Sequence, residues 1–392
     1  MKYRLDRYGN QLSVLGYGCM RFPQTLGKID VAETEKLVKI AVDAGVNYFD
    51  TAYIYPGSEA ALGTVLARNG LRDKVKIATK LPHYLIRSRE KLEKLFQEQL
   101  SRLQTDHIEY YLMHMLSDVS TWERLKEMGI LQWLEEKKAS GAIGQVGFSY
   151  HGNSDMFCRL LDVYDWDFCQ IQYNYMDEHA QAGRKGLLAA HEKGIPVIIM
   201  EPLRGGKLAG GLPAKAKRII DTYPTRKTPA EWAFNWLWDQ QEVTCVLSGM
   251  SSLEILEENL RSADASEVQS MQDAEQEMLR EVVKAINEKM KVGCTGCGYC
   301  MPCPKHVDIP GTFAAYNCRY SEGKFWGLKD YAICTAMRGT STAASNCIGC
   351  GKCETHCPQQ IPIREVLAQA AKEMEGPLYK GFRLLVRKMK TF

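Results

Sequence analysis

Four side chains in the first third of the chain have the types needed to move a proton at an oxygen atom. Asp50 closes the run GVNYFD, Tyr55 follows five residues later, Lys80 closes IATK and His114 closes IEYYLMH. A carbonyl oxygen gains negative charge when its carbon accepts hydride, and a neutral phenol can protonate it. Unperturbed, a phenol has a pKa near ~10 and is too weak an acid at neutral pH. An adjacent ammonium favours the phenolate and lowers that value. Lys80 can supply the ammonium and Asp50 can hold it in place. His114 can orient the carbonyl by a hydrogen bond and share in the transfer. Singly, each has an ordinary explanation: a turn-forming Asp, a solvated Lys, a packed His. Together, in this order, they form a constellation for carbonyl reduction or alcohol oxidation.

A second chemistry lies near the C-terminus. Four of the fourteen cysteines, Cys19, Cys158, Cys169 and Cys245, are spread over the first 293 residues, and ten crowd into 294–357. Without a secretory signal or a small loop-rich chain, clustered thiols read as metal or cluster ligands. One group is CTGCGYCMPCP, with Cys294, Cys297, Cys300 and Cys303; the other is CIGCGKCETHCP, with Cys347, Cys350, Cys353 and Cys357. Two-residue gaps let a tight loop wrap a small cage, and Gly296, Gly298, Gly349 and Gly351 allow the turns. A Cys₄ zinc site is the alternative. The repeated spacing, ending in Cys-Pro, resembles the bacterial ferredoxin signature. That resemblance implies two [4Fe-4S] clusters with crossed fourth ligands. Cys294, Cys297, Cys300 and Cys357 would hold one, and Cys347, Cys350, Cys353 and Cys303 the other. The first group departs from the pattern in having two residues, not three, before its last cysteine. Cys318 and Cys334 stand outside both groups and read as packing residues.

These residues need a scaffold. Up to about residue 262, β-rich runs alternate with helical patterns. The expected strands are Val14–Gly18, Val46–Asp50, Val75–Lys80, Ile108–His114, Gly144–Ser149, Phe168–Tyr173, Pro196–Glu201 and Thr244–Gly249. Strand–helix alternation implies a parallel sheet, and eight units imply closure into a (β/α)₈ TIM barrel rather than an open doubly wound sheet. The candidate residues then sit at C-terminal strand ends or in the loops beyond. Gly16–Gly18 lacks the third glycine of a dinucleotide fingerprint. Leu92, Leu95, Phe96, Leu100 and Leu103 form a helical stripe, and Ser251 with Glu254 fits a capping box.

The expected organisation is a barrel over 1–265, a connecting helix over 266–290, a cluster domain over 291–375 and a basic tail over 376–392. The 43 residues between Cys303 and Cys347 contain Phe313, Tyr316, Tyr320, Phe325, Trp326 and Tyr331, which predicts a helical insertion and a mostly α-helical ferredoxin-like domain. The tail from Pro377 to Phe392 carries five Lys or Arg and no acid, which suits a solvated strip, an acidic partner or a membrane surface. The whole chain of 392 residues has a net charge of only +3, so no nucleic-acid footprint is read from it. No signal-like or bilayer-length apolar run occurs, and a cytoplasmic protein without a membrane span is expected.

FDTAYIYPGSE, ATK and the strand-end His114 resemble the aldo-keto reductase family over about residues 1–262. The complete chain resembles its iron–sulfur-containing branch. This resemblance implies an oxidoreductase with Asp50, Tyr55, Lys80 and His114 as tetrad and NADP or NAD across the barrel mouth, with flavin as another possible occupant. Met20 and Arg21 would flank the nicotinamide, and Ser149 and Gln172 would hold its carboxamide. Pro202, Leu203 and Lys207 would face the pyrophosphate; Gly249, Met250, Ser251, Glu258 and Asn259 would surround the adenosine. Two positions depart from the family: Tyr150 replaces the usual Asn, and Ile255 replaces an Arg or Gln that contacts a 2′-phosphate. The implied partners are a small carbonyl or alcohol substrate and a ferredoxin- or flavodoxin-type electron carrier. The alternative is an electron-transfer protein whose barrel binds a cofactor without reducing carbonyls.

Overall fold

The computed structural model describes residues 1–392 except 117, 152, 153, 180, 289, 295, 297, 299, 322, 337–340, 358–360 and 390–392, and omits the side chains of 333 and 385–389. By internal packing the chain divides into two units, Met1–Leu208 with Lys227–Asp273, and Ala209–Arg226 with Ala274–Phe392.

The first unit is a closed barrel of eight parallel strands, as expected. They are β1 (Leu15–Gly18), β2 (Tyr48–Asp50), β3 (Lys76–Leu81), β4 (Ile108–Met113), β5 (Ile143–Tyr150), β6 (Phe168–Gln172), β7 (Val197–Met200) and β8 (Val243–Ser248). Closure is made by β8 on β1, with Val246 opposite Leu15 and Ser248 opposite Tyr17. Alternate residues of a barrel strand face inward. Tyr48, Ala78, Tyr110, Leu112, Phe168, Ile198, Cys245 and Leu247 meet there in one apolar cluster. Gly16 is small for the same reason, since a Cβ on it would stand 2.7 Å from Leu247 and 2.8 Å from the Cys245 sulfur. One step of two residues up the strands from this cluster lie Asp50, Lys80, His114 and Gln170. The same alternation that fills the barrel therefore carries polar side chains to its C-terminal end.

The helices that cover the barrel follow local rules. Arg89–Leu103 is capped by Ser88 and buries Leu92, Leu95, Phe96 and Leu103. Leu253–Asp264 begins one residue later than the capping-box reading required: Ser252, not Ser251, accepts the Ile255 N–H. With Ile255 at the third helical position, no Glu can return a bond to the cap. The connecting helix also starts late, at Asp273, and runs to Asn287. Before it, the chain is held by Asp239, whose carbonyl accepts the Gln269 N–H and whose carboxylate accepts the Met271 N–H.

The second unit is mostly helical. Ile309–Ser321 packs on Lys324–Thr335, and Gly327 is required at their contact because a Cβ there would meet the Arg319 backbone at 2.6 Å. Val307, Ile309, Phe313, Tyr316, Tyr331, Ile363, Leu367 and Met374 form the core. Cys318 is buried and Cys334 packs against the same core. Ala209–Arg226 belongs to this unit rather than to an unbroken barrel segment, with Lys215 paired to Glu288 at 2.5 Å. The basic tail is a helix, Pro377–Met389, tied down by Tyr379, which packs 5.1 Å from Tyr331. Among the described residues, no helix is long and apolar enough to cross a membrane.

The bottom of the barrel is sealed by the hairpin Tyr3–Leu5/Gln11–Ser13. Its buried Asp6 accepts the Tyr110 hydroxyl at 2.6 Å, the Asn10 amide at 2.9 Å and the Gln145 amide. Burial pushes the Asp6 carboxyl up, but these hydrogen bonds together outweigh burial and hold it below its usual range. A lowered folded value means that the carboxylate stabilises the fold above about pH 4, the unfolded value. That stability is lost as pH falls through the folded value. Asp6→Ala should cost about 2 kcal/mol near pH 7, roughly 4–8 °C in the barrel's melting temperature. Thermal unfolding of wild type and variant should converge as pH is lowered toward ~3. A gap that stays constant would show that the charge of Asp6 is not what matters.

Candidate functional site

The barrel mouth is organised around a buried cation. Lys80, 1% exposed, donates to Asp50 Oδ2 at 2.6 Å and to the Thr51 carbonyl at 2.7 Å. Burial works against its charge, but Asp50 and then Tyr55 outweigh burial and hold the ammonium above its ordinary pKa. The other Asp50 oxygen accepts the Gln170 amide at 2.8 Å. Lys80 Nζ stands 5.0 Å from the centre of the Tyr55 ring. The His114 ring meets Tyr55 edge-on, with centres 6.1 Å apart. The four candidate residues therefore converge in space.

Tyr55 differs from the sequence expectation in one respect. Burial, the largest influence, raises its pKa, and the opposing pull of Lys80 does not fully cancel it. The phenol is kept protonated rather than acidified. His114 is pushed down to about 3, first by burial and then by Lys80, His151 and His83, so its imidazole is neutral. Its Nδ1 is buried with no hydrogen-bond partner among the described residues.

The loop carrying Tyr55 is fixed from behind. The Tyr55 N–H bonds to the Ala52 carbonyl, the Ser58 N–H to the Tyr55 carbonyl, and Gly57 takes a φ of +74° that favours glycine. Ser58 Oγ donates to the Cys19 carbonyl at 3.0 Å. Buried Glu59 accepts from Thr79 at 2.7 Å, Gln99 at 2.9 Å and Arg102 at 3.1 Å. Ser58 and Glu59 of the PGSE run thus act as struts joining this loop to β1 and β3.

The remaining candidates are placed around the same end. The Ser149 hydroxyl accepts the Met115 N–H at 2.8 Å. Gln172 is engaged by Asp177 at 3.1 Å and by Gln181, whereas Gln170, which the sequence reading passed over, reaches Asp50. Gln170 Oε1 is buried and unpartnered among the described residues. Its even spacing from Phe168, an inward-facing residue, was the signal that could have found it. Met20 is exposed on the turn Cys19–Arg21 after β1. The Arg21 stem packs on Gly249, where a Cβ would meet it at 2.9 Å, and its guanidinium lies 3.1 Å from where a Cβ on Gly205 would stand. Buried Pro202, half-buried Leu203 and exposed Lys207 lie in the stretch after β7. Met250 is buried, with its carbonyl accepting the Tyr17 hydroxyl at 2.6 Å, so its side chain serves the core. Ser251 is exposed. Asn259 is turned inward, donating to Ser248 at 2.7 Å, and Glu258 accepts from Thr228 at 2.5 Å. Two orphaned buried polar atoms and a glycine-lined arginine fit a planar, anionic ligand. Tyr150 and Trp122 do not line a pocket: both are buried, among Phe148, Phe157 and Trp166.

In the second unit, Cys300, Cys303, Cys347, Cys350 and Cys353 line one cavity of about 150 Å³. Cys294 and Cys357 pack beside the same core, and Cys297 lies outside the described residues. No disulfide joins the described cysteines. The two loops repeat each other's geometry. Gly296 and Gly298 have φ of +72° and +78°, and Gly349 and Gly351 have +71° and +76°. The N–H of Gly296 donates to Cys294 Sγ, and that of Gly349 to Cys347 Sγ, both at 3.5 Å. Among the described residues, no three His, Cys, Asp or Glu side chains stand close enough to share one metal ion. Thiols that surround a space, with backbone N–H groups turned toward sulfur, fit a cage better than a single zinc.

Known proteins agree with both halves. Residues 14–281 match the model of the aldo/keto reductase family, and residues 293–361 match that of a 4Fe-4S dicluster domain. L-galactose dehydrogenase from Arabidopsis thaliana is 28% identical over 310 residues, 73% of this chain and 94% of its own. A 6-dehydroglucose reductase from Novosphingobium aromaticivorans is 28% identical over 234 residues, 56% of this chain and 74% of its own. A solved aldo-keto reductase from Bacillus halodurans, in its holo form, superposes with a TM-score of 0.60 at 23% identity, covering 73% of this chain and 97% of that one, which shows the shared fold. The family match spans most of the chain, and the chain belongs to the aldo/keto reductase family, with a 4Fe-4S dicluster domain following its barrel.

Proposed function

We propose that this protein interconverts a carbonyl and an alcohol at the mouth of its barrel. The observation that carries this reading is the buried Lys80–Asp50 pair beneath the Tyr55 ring, with a neutral His114 at the same mouth. A nicotinamide, as NAD or NADP, would supply or take the hydride. Tyr55 Oη gives its proton to the carbonyl oxygen as negative charge develops there, and Lys80 steadies the phenolate left behind. Asp50 keeps Lys80 charged and aimed. His114, neutral at working pH, aligns the carbonyl by a hydrogen bond.

Ser149 and Gln172 are suited to a carboxamide, with the buried, unpartnered Gln170 oxygen a step deeper in the barrel. Met20 flanks the ring, and Arg21, Pro202, Leu203 and Lys207 suit the phosphates. Gly249, Ser251, Glu258 and Asn259 suit the adenosine side, to which Met250 can offer only backbone. Exposed Ile255 provides no donor for a 2′-phosphate, which supports NAD over NADP.

In the cluster domain, here assigned to 291–375 and following a barrel assigned to 1–265 apart from Ala209–Arg226, Cys347, Cys350, Cys353 and Cys303 hold one [4Fe-4S] cluster. Cys294, Cys297, Cys300 and Cys357 hold the other. The cavity shared by Cys303 and the second loop supports the crossed ligand. The clusters pass single electrons to or from a ferredoxin- or flavodoxin-type carrier.

Three outcomes follow. Tyr55→Phe should lower carbonyl reduction by about 10²–10⁴-fold without loss of iron; undiminished turnover would remove the assigned acid. The reduction rate should be flat between about pH 5 and 8, where a free imidazole would titrate, because His114 has already lost its charge at lower pH. It should fall only at alkaline pH above the ordinary phenol value, since Tyr55 holds its proton. A limb near pH 6–7 that disappears in His114→Asn would overturn the neutral-imidazole role. Cys303→Ala should remove roughly half of the iron from anaerobically prepared protein. Full iron content in that variant would show that Cys303 is not a ligand.

A further inference from the structure

The C-terminal helix Pro377–Met389 is only partly absorbed by the fold. Tyr379 is buried, and its hydroxyl lies 2.9 Å from that of Thr335, but Leu378 is 80% exposed and Leu384 is 60% exposed, with Phe382 also exposed. Single exposed apolar residues are ordinary on a protein surface. Three on one 13-residue helix are not explained by its packing. The charge of this segment is equally one-sided. Five of the chain's basic residues and none of its acids fall between Pro377 and Phe392, although the whole chain is nearly balanced at +3. Exposed Leu and Phe combined with Lys and Arg are the composition of a helix that lies in a membrane interface. At 1.5 Å per residue the helix is about 20 Å long and too short to span a bilayer.

A second observation in the same unit points the same way. The helix on which Tyr379 packs, Lys324–Thr335, opens with Phe325 at 72% exposure and an exposed Trp326, whose rings meet edge-on at 5.5 Å. Lys329 Nζ stands 4.9 Å over the Trp326 ring. An exposed indole beside ammonium groups suits the headgroup layer, where an apolar ring and a charge are both accommodated. An acidic protein would satisfy the basic residues but gives no reason to leave Leu378, Leu384, Phe325 and Trp326 in water.

We propose that the C-terminal unit docks reversibly on an anionic lipid surface through the helix Pro377–Met389, with Phe325 and Trp326 entering the same interface. Leu378, Phe382 and Leu384 enter the headgroup–acyl boundary while Lys380 and Arg383 meet lipid phosphates. Binding of this kind needs no carbonyl chemistry and is read without an activity assay.

The test is cosedimentation of the full-length, anaerobically prepared protein with vesicles. Wild type should pellet with phosphatidylcholine vesicles containing phosphatidylglycerol, not with phosphatidylcholine alone, and should be released by salt. Lys380→Gln with Arg383→Gln should lower the partition constant about 30-fold, since each cation near such a surface contributes roughly fivefold. Leu378→Asp with Leu384→Asp should weaken it as well. Unchanged iron content and melting temperature would show that these surface variants are folded. Failure of wild type to bind anionic vesicles, or equal binding by both double variants, overturns the proposal. So does binding to an acidic electron carrier with no affinity for lipid.

Discussion

Everything at the barrel mouth depends on an ammonium group kept charged out of water. A lone buried cation is too costly to persist and would lose its proton. Lys80 keeps its charge because Asp50 and the Thr51 carbonyl meet it at 2.6 and 2.7 Å. That requirement constrains much else. Asp50 must face inward at the end of β2, and Lys80 inward on the next strand. The second oxygen of Asp50, also buried, needs a donor of its own, and Gln170 supplies it from across the barrel. Removing one member of such a pair typically costs about 3–5 kcal/mol because the other is left uncompensated. The pair is therefore better understood as a device for holding charge in position than as a source of stability.

The two halves of the chain use backbone and charge differently. In the barrel, a buried ion pair keeps an ammonium charged beside a phenol. In the cysteine loops, glycines at positive φ turn one N–H in each loop toward a sulfur, a weak backbone donor in place of a strong cation. The chemistries also differ in electron count. In the proposed reaction hydride carries two electrons together, whereas an iron–sulfur cluster would pass them singly. Cys303 lines the same cavity as Cys347, Cys350 and Cys353, which joins the two thiol groups in one compact body.

The barrel could be read from the sequence because eight β-rich runs alternate with helical patterns, and that alternation implies parallel strands joined by helical crossovers. Each of the eight expected strands overlaps an observed one. The misreadings share a different cause. Gln170 and Gln172 have the same parity, and only depth within the barrel decides that Gln170 reaches Asp50. Ser251 and Ser252 are both plausible caps, and the one-residue choice is settled by where the chain leaves β8. The connecting helix yields its first turn to Asp239, a contact between segments distant in sequence. Tyr150, at the end of β5, stands where the resemblance implies a small polar Asn, and its buried ring packs against Phe148 and Phe157. Composition gives direction and spacing, while depth and long-range hydrogen bonds appear only in three dimensions.

Under the proposed reaction, the raised pKa of Tyr55 bears on how such a site would work. Burial and the Lys80 charge push the phenol in opposite directions, and burial wins. Covering the mouth would remove more water, which increases both influences, because Coulomb attraction also strengthens as the local dielectric falls. Both act on the same charge, the one that forms on Tyr55 Oη as its proton leaves: burial opposes it and the ammonium favours it. A phenol that keeps its proton at rest and meets a preorganised cation when it gives the proton up is stabilised where the barrier lies. Acidifying the resting phenol would instead waste the proton on solvent. The neutral state of His114 serves the same end, since a second cation at the mouth would compete with Lys80 for Asp50.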